Sequence, residues 1–222
     1  MAVERNSIVV EEYLQVIYSE ARTSGPVKAI HLAQRLESSP STVHATLNRL
    51  QRDGLIEMGP KKEIKLTSEG IKKAEELTYR HQLVESFLCN TLGIPWHEVH
   101  HHAHILEHGL TPLVETKLAE FLGDPERCPH GTPMPGKSKL PAEMVFLNEL
   151  AAGEICEVVV VQETLEDEAE LMEYLQRHQV VPGKELTLLE HIGATGSIML
   201  ESGEDRFSLP QDVADKIGVL RR

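Results

Sequence analysis

The sequence predicts a mainly α-helical chain in three parts. These are an N-terminal winged helix-turn-helix over residues 1–70, a helical dimerisation and metal-binding segment over 71–141, and a small C-terminal β-barrel over 142–222. Three observations predict this. The hydrophobic period changes from helical to strand-like between Leu55 and Leu66, then reverts. His100, His104, Glu107 and His108 fall at i, i+4, i+7 and i+8, which is one face of a helix. A proline-rich stretch from Asp124 to Pro141 gives way to short strand-like segments separated by glycines.

Taken in order, residues 7–23 carry Val10, Leu14, Ile17 and Tyr18 as a helical apolar stripe that Gly25-Pro26 ends. A shorter helix follows with Ile30, Ala33 and Leu36 inward. Ser38-Ser39-Pro40-Ser41-Thr42 supplies a turn and a cap for the next, where Val43, Leu47 and Leu50 face inward and Gly54 marks the end. Leu55, Ile56 and Met58, then Ile64 and Leu66, flank Gly59-Pro60-Lys61-Lys62, a hairpin with a basic tip. Helix, turn, helix and hairpin make a winged helix-turn-helix. Ser39, Ser41, Thr42, His44, Ala45, Asn48 and Arg49 would then meet a DNA major groove, and Lys61 and Lys62 its phosphates. Such a trio of helices can also be mere scaffold, but a basic wing tip and a hydroxyl-rich helix start exceed what scaffolding requires.

The net charge of −13 on 222 residues argues at first against a nucleic-acid partner. Its distribution reverses that argument. Between Pro26 and Lys65 the cations Lys28, Arg35, Arg49, Arg52, Lys61, Lys62 and Lys65 face only Glu37, Asp53, Glu57 and Glu63. The acid lies later, in Glu163, Glu166, Asp167, Glu168, Glu170 and Glu173.

Thr67-Ser68 caps a long helix reaching about Cys89, with Ile71, Ala74, Leu77, Val84, Phe87 and Leu88 along one stripe. Gly93-Ile94-Pro95 breaks it before the histidine helix. Imidazoles and a carboxylate crowded on one face suit a divalent cation between them. His81 and Glu85, at i and i+4 on the long helix, repeat the pattern. A solvated histidine-rich face is the plain alternative. Pro112 to Leu122 forms a further helix with Leu113, Val114, Leu118 and Phe121. So much apolar helical surface predicts a homodimer. Cys128-Pro129-His130 could ligate metal, but on a proline-rich loop it reads as structural.

The tail shows strand-like segments at Glu154–Val161, Glu185–Glu190, Ser197–Glu201 and Arg206–Leu209, with an acidic helix from Asp167 to His178 between the first two. Glycine turns between them predict a small barrel. No apolar run is long enough for a membrane span, and the N-terminus lacks a signal-peptide pattern. Three widely spaced cysteines predict no disulfide framework, and together these point to the cytoplasm. A metallohydrolase is an alternative, but there is no His-Glu-x2-His motif, Gly-rich phosphate loop or recognisable nucleophile. A metal-independent winged-helix regulator is the other.

This order of parts, with the motifs Glu12-Tyr13-Leu14, Arg80-His81-x3-Glu85, Val99-His100-x3-His104-x2-Glu107-His108 and Cys128-Pro129-His130-Gly131, resembles the diphtheria-toxin-repressor family. The resemblance runs nearly end to end. It implies a metal-activated transcriptional repressor that binds a double-stranded DNA operator as a homodimer, with an SH3-like (FeoA-like) barrel at the C-terminus. It implies a regulatory site of Glu12, His104, Glu107 and His108 and a neighbouring site of His81, Glu85 and His100. Asp167 and Glu170 fall where the barrel of some members lends two ligands. The iron-responsive branch has methionine at the Glu12 position and cysteine at the His104 position. The manganese branch has an acidic residue at the first and glutamate at the second. This chain has neither sulfur ligand but a histidine where the manganese branch has a carboxylate. Sulfur-free ligands suit Mn(II) or Fe(II), of which the acidic Glu12 leads us to expect Mn(II) with Fe(II) next, while Zn(II) and other divalent transition metals would also bind in vitro.

Overall fold

The structure, a computed structural model, describes residues 2–23 and 25–222, with side chains from residue 8 onward. The chain divides into two compact units, one ending at His81 and one running from Gln82 to Arg222.

The first unit holds α1 (Ala2–Thr23), α2 (Ala29–Arg35), α3 (Pro40–Arg52) and a hairpin of β1 (Ile56–Met58) and β2 (Ile64–Leu66). α4 (Ser68–Asn90) begins within it. Val10, Tyr13, Leu14 and Ile17 recur at helical spacing, so α1 buries one stripe against Leu32, Val43, Leu47 and Leu50. Ala74 and Leu77 close that core from α4. The helix-turn-helix and wing are therefore as expected. Ser39 caps α3: its hydroxyl accepts the Thr42 N–H at 3.2 Å, and Pro40 takes the first helical position, where no N–H is needed. Replacing Ser39 by alanine should lower the unfolding free energy by about 1 kcal/mol in urea denaturation. An unchanged midpoint would mean that the cap contributes nothing.

In the second unit, the remainder of α4 packs Val84 and Leu88 against Val99 and Ala103 of α5 (Val99–Leu106). A 3-10 turn (Glu107–Gly109) and α6 (Pro112–Leu122) follow. The histidine helix is thus shorter than expected, ending at Leu106. Glu107 nevertheless keeps helical dihedrals (φ −56°, ψ −36°) and with them its place on the histidine face.

The C-terminal part differs from expectation in two ways. Its sheet is open and antiparallel rather than a closed barrel. Its six strands are β3 (Val145–Phe146), β4 (Ile155–Val161), β5 (Glu185–Ile192), β6 (Ser197–Ser202), β7 (Asp205–Pro210) and β8 (Ile217–Arg221), in the order β3-β8-β4-β5-β6-β7. β8, which occupies the interior place beside β4, went unseen in the sequence because Ile217-Gly218-Val219-Leu220 does not alternate. Both of its faces are covered, since Ile217, Gly218 and Val219 are all buried. The expected acidic helix is instead two pieces, α7 (Glu163–Glu166) and α8 (Ala169–Arg177), with Asp167 ending the first. Met172 and Leu175 of α8 join Val158, Leu186, Leu188, Ile198 and Leu200 in the core. A short helix, α9 (Gln211–Ala214), precedes β8. Among the described residues no helix is long and apolar enough to cross a membrane.

Candidate metal centres

The residues expected to meet DNA lie on α3 and the wing. Val43, Leu47 and Leu50 bury one side of α3, which leaves Ser41, Thr42, His44, Ala45 and Asn48 exposed on the other. Arg49 is half-buried and pairs with Asp53 at 3.8 Å. Ser39 is occupied by capping and touches the Ser41 and Thr42 hydroxyls at 2.8 and 2.9 Å. Lys61 and Lys62 stand exposed at the tip of the wing, where the Lys61 N–H is held by Glu63 Oε2 at 2.9 Å.

In the second unit, Val99 and Ala103 pin α5 to the core, which leaves His100 and His104 on the next face of that helix. Glu107 is 1 % exposed. His104 Nδ1 lies 3.6 Å and His108 Nε2 3.5 Å from its Oε1. The two imidazole rings meet edge to face at 5.7 Å between centroids. A carboxylate withdrawn from water needs a positive partner, and two imidazoles alongside it offer the remaining ligands for a cation. Glu12 stands half-buried on α1 in the first unit.

A second constellation lies wholly within the second unit. Glu85 of α4, His100 of α5, Cys128 and His130 of the proline-rich loop, and Glu166 of α7 converge. His100 Nδ1 is 3.2 Å from Glu85 Oε1 and 3.0 Å from Glu166 Oε2, and its Nε2 is 3.3 Å from Asp167 Oδ1. His130 Nδ1 is 3.4 Å and 3.3 Å from the same two oxygens of Glu85 and Glu166. Ligand atoms of Glu85, Cys128 and His130 all lie within 4.8 Å of one another. His81 is one helical turn before Glu85 on α4, and both side chains are buried.

Hydrogen bonding fixes how this centre is charged. His130 Nε2 approaches the Trp96 carbonyl at 3.2 Å, so Nε2 carries the proton, because a carbonyl only accepts. Nδ1 then lies buried against the two carboxylate oxygens, where either a proton or a cation would stand between them. Burial opposes a charge on His130, but the Glu166 and Glu85 carboxylates outweigh it and raise its pKa. Burial likewise opposes a charge on His100, and hydrogen bonds to Asp167, Glu166 and Glu85 prevail, holding its pKa well above the ordinary value. Burial, reinforced by Glu85 and Glu166, pushes the Cys128 thiol well up. The cluster calls for positive charge. Protons on the histidines supply it in one form; a divalent cation fits the same donor set and would displace them.

The loop that brings Cys128 and His130 here is docked by its backbone. β4 and β8 slip register between Val158 and Val160, and at this bulge Val161 donates its N–H to the His130 carbonyl at 2.9 Å. Trp96 Nε1 donates to the Pro129 carbonyl at 2.9 Å, and the Trp96 and His130 rings lie 4.8 Å apart. The Arg127 guanidinium donates to the Gly131 carbonyl at 3.0 Å. The sequence suggested a structural loop rather than a ligand; its backbone is docked, but it also brings two donor side chains to the cluster.

Of the two ligands expected from the C-terminal part, Asp167 reaches His100, whereas Glu170 is exposed on α8 and belongs to no ligand grouping among the described residues. Glu166, buried to 5 % exposure, stands where a second carboxylate was expected. Nothing in an acidic run of near-identical residues singles it out. Only the turn between α7 and α8 decides which carboxylate points inward.

Comparison with known proteins places these features. Residues 7–64 match the iron dependent repressor, N-terminal DNA binding domain; residues 67–136 match the iron dependent repressor, metal binding and dimerisation domain; and residues 145–221 match the FeoA domain. The chain is 34% identical to the iron-dependent repressor IdeR of Mycobacterium leprae over 221 residues, 94% of this chain and 95% of that one. It is 32% identical to the diphtheria toxin repressor of Corynebacterium glutamicum over 219 residues, covering 94% of each. Its fold matches a manganese-dependent transcriptional repressor in complex with manganese, with a TM-score of 0.85 and 27% identity over 96% of this chain and 100% of that one.

Proposed function

Because the chain belongs to the diphtheria-toxin-repressor family of metal-dependent transcriptional repressors, we propose that a divalent cation, Mn(II) ahead of Fe(II), gates its binding as a homodimer to a double-stranded DNA operator. The family consists of repressors rather than enzymes, so the hydrolase alternative falls away.

We assign the regulatory ion to His104, Glu107 and His108 together with Glu12 of α1. The observation that carries this reading is Glu107, a carboxylate 1 % exposed and flanked by two imidazoles at 3.5 and 3.6 Å. Two carboxylates and two imidazoles without sulfur favour Mn(II) and Fe(II) on ligand type. When bound, the ion supplies the positive charge that lets Glu12 and Glu107 share one place. Glu12 belongs to the helix whose Tyr13, Leu14 and Ile17 pack with Val43, Leu47 and Leu50 of α3. Holding Glu12 therefore holds the exposed face of α3, with Ser41, Thr42, His44 and Arg49 set toward base edges and Lys61 and Lys62 toward phosphate. Without a cation, Glu12 and Glu107 repel, and the net charge of −13 keeps DNA affinity low. Ile105, Leu113, Val114 and Phe121, all more than half exposed, supply the dimer contact that sets the spacing of two α3 faces. To Glu85, His100, Cys128, His130 and Glu166, with His81 and Asp167 beside them, we assign a second ion that steadies the proline-rich loop.

Capture of fragmented genomic DNA from the source organism tests the reading, with anaerobic protein in Mn(II), Fe(II) or chelator. A few discrete fragments retained only with metal are expected. Equal capture in chelator would overturn the gate. Tighter capture at equal free Fe(II) would overturn the metal ranking alone.

A further inference from the structure

The first unit contains a cleft of about 830 Å³, lined by none of the proposed metal ligands and sharing only Lys61 with the proposed DNA face. It opens between the C-terminal end of α1, the loop before α2 and the wing. Tyr18, Val27, Ile64, Leu66 and Ile71 give it apolar walls, and Ile71, which also lines it, is 40% exposed. The Tyr18 hydroxyl donates to Glu75 Oε1 at 3.2 Å, so the phenol is engaged on α4 and the ring serves as wall. Arg22, Lys28, Lys61 and Lys65 also border it, and all four are exposed, so their charges stand at its rim. Arg22 is steadied by its guanidinium lying 5.1 Å over the Tyr18 ring. The single acid in the lining, Glu63, accepts the Lys61 backbone N–H at 2.9 Å and is thereby occupied with the turn of the wing.

Apolar walls with an excess of cations select a ligand that is itself divided. A bare phosphate would leave the apolar walls wet, and a neutral hydrocarbon would gain nothing from the exposed cations at the rim. The volume falls in the range of small-molecule sites, which are mostly apolar with a few placed polar groups. We propose that this cleft binds a medium-chain alkyl carboxylate, its chain against Ile64, Leu66 and Ile71 and its head group among Arg22, Lys28, Lys61 and Lys65. Since Lys61 belongs to the wing tip, an occupied cleft competes with DNA phosphate for that lysine, which makes the ligand a second, metal-independent input to operator release. This consequence rests on the DNA-binding reading above; the binding itself does not.

Isothermal titration of the full-length, metal-free protein with decanoate, octanoate and inorganic phosphate tests the site without DNA. One saturable site per chain is expected, with decanoate about fifteenfold tighter than octanoate for its two extra methylenes. Phosphate should bind far more weakly. Ile71→Glu sets a carboxylate in one wall and Ala21→Trp fills the cleft from α1. Each should weaken decanoate at least tenfold while far-ultraviolet circular dichroism and Mn(II) binding stay native. No saturable heat, phosphate binding as tight as decanoate, or native decanoate affinity in either folded variant would overturn the proposal. If calorimetry succeeds but decanoate does not release a captured operator fragment, the competition with DNA fails and the site stands.

Discussion

Glu107→Gln should need at least about 100-fold more Mn(II) for half-maximal operator binding, since it removes a charged ligand and leaves the shape of the side chain intact. The expected effect on stability separates a ligand from a structural residue. Glu107 is buried at 1 % exposure beside His104 and His108, and glutamine keeps its shape there. The metal-free variant should stay folded, with native far-ultraviolet circular dichroism. The rise in melting temperature that saturating Mn(II) gives the native chain should largely disappear, because that rise is binding energy. A variant with a lowered metal-free melting temperature and a native Mn(II) response would show that Glu107 serves packing, and the regulatory assignment would fail. His104→Gln and Glu12→Gln should show the same pattern if all belong to one ion.

Gly131→Ala should destabilise the second unit by about 3 kcal/mol or more. Gly131 sits at φ +89°, and a Cβ there would stand 2.0 Å from the Val159 carbonyl oxygen and 2.9 Å from Val160 Cα. Both obstacles are backbone, held by the β4 pairing, so neither can swing aside. The loop would have to lift from the bulge, and His130 would leave the Glu85 and Glu166 carboxylates with it. Gly183→Ala is the control. Its φ of +84° imposes the same left-handed cost of about 1–2 kcal/mol, but nothing lies within 4 Å of the added Cβ. Equal losses in urea denaturation would mean that close approach to β4 contributes nothing at Gly131. A larger loss at Gly131, with weakened metal binding at the second centre, is the expected result.

Much was legible in the chain because it depends on short-range periodicity. Tyr13, Leu14 and Ile17, then Val43, Leu47 and Leu50, mark their helices by spacing alone. Gly59 to Lys62 marks the wing by turn chemistry. The histidine face is legible for the same reason: i, i+4 and i+7 lie together on a helix whatever surrounds it. Ligands contributed by a loop have no such rule. Cys128 and His130 reach Glu85 only because the loop docks on a bulge in β4, and that bulge arises from a register slip against β8, a strand about 60 residues further along the chain that has no alternating pattern.

By itself, then, the sequence determined the helices of the first unit, the wing, the order of the three parts, the cationic bias of the first and the histidine face of the second. Each follows from residues within a turn or two of one another. Tertiary structure alone decided that the C-terminal sheet is open, that Glu166 rather than Glu170 turns inward, and that Cys128 and His130 share two carboxylates with His100. The reason is one of range. Which carboxylate of an acidic run is buried depends on where a short helix ends against a distant core, and burial then decides which one calls for a cation.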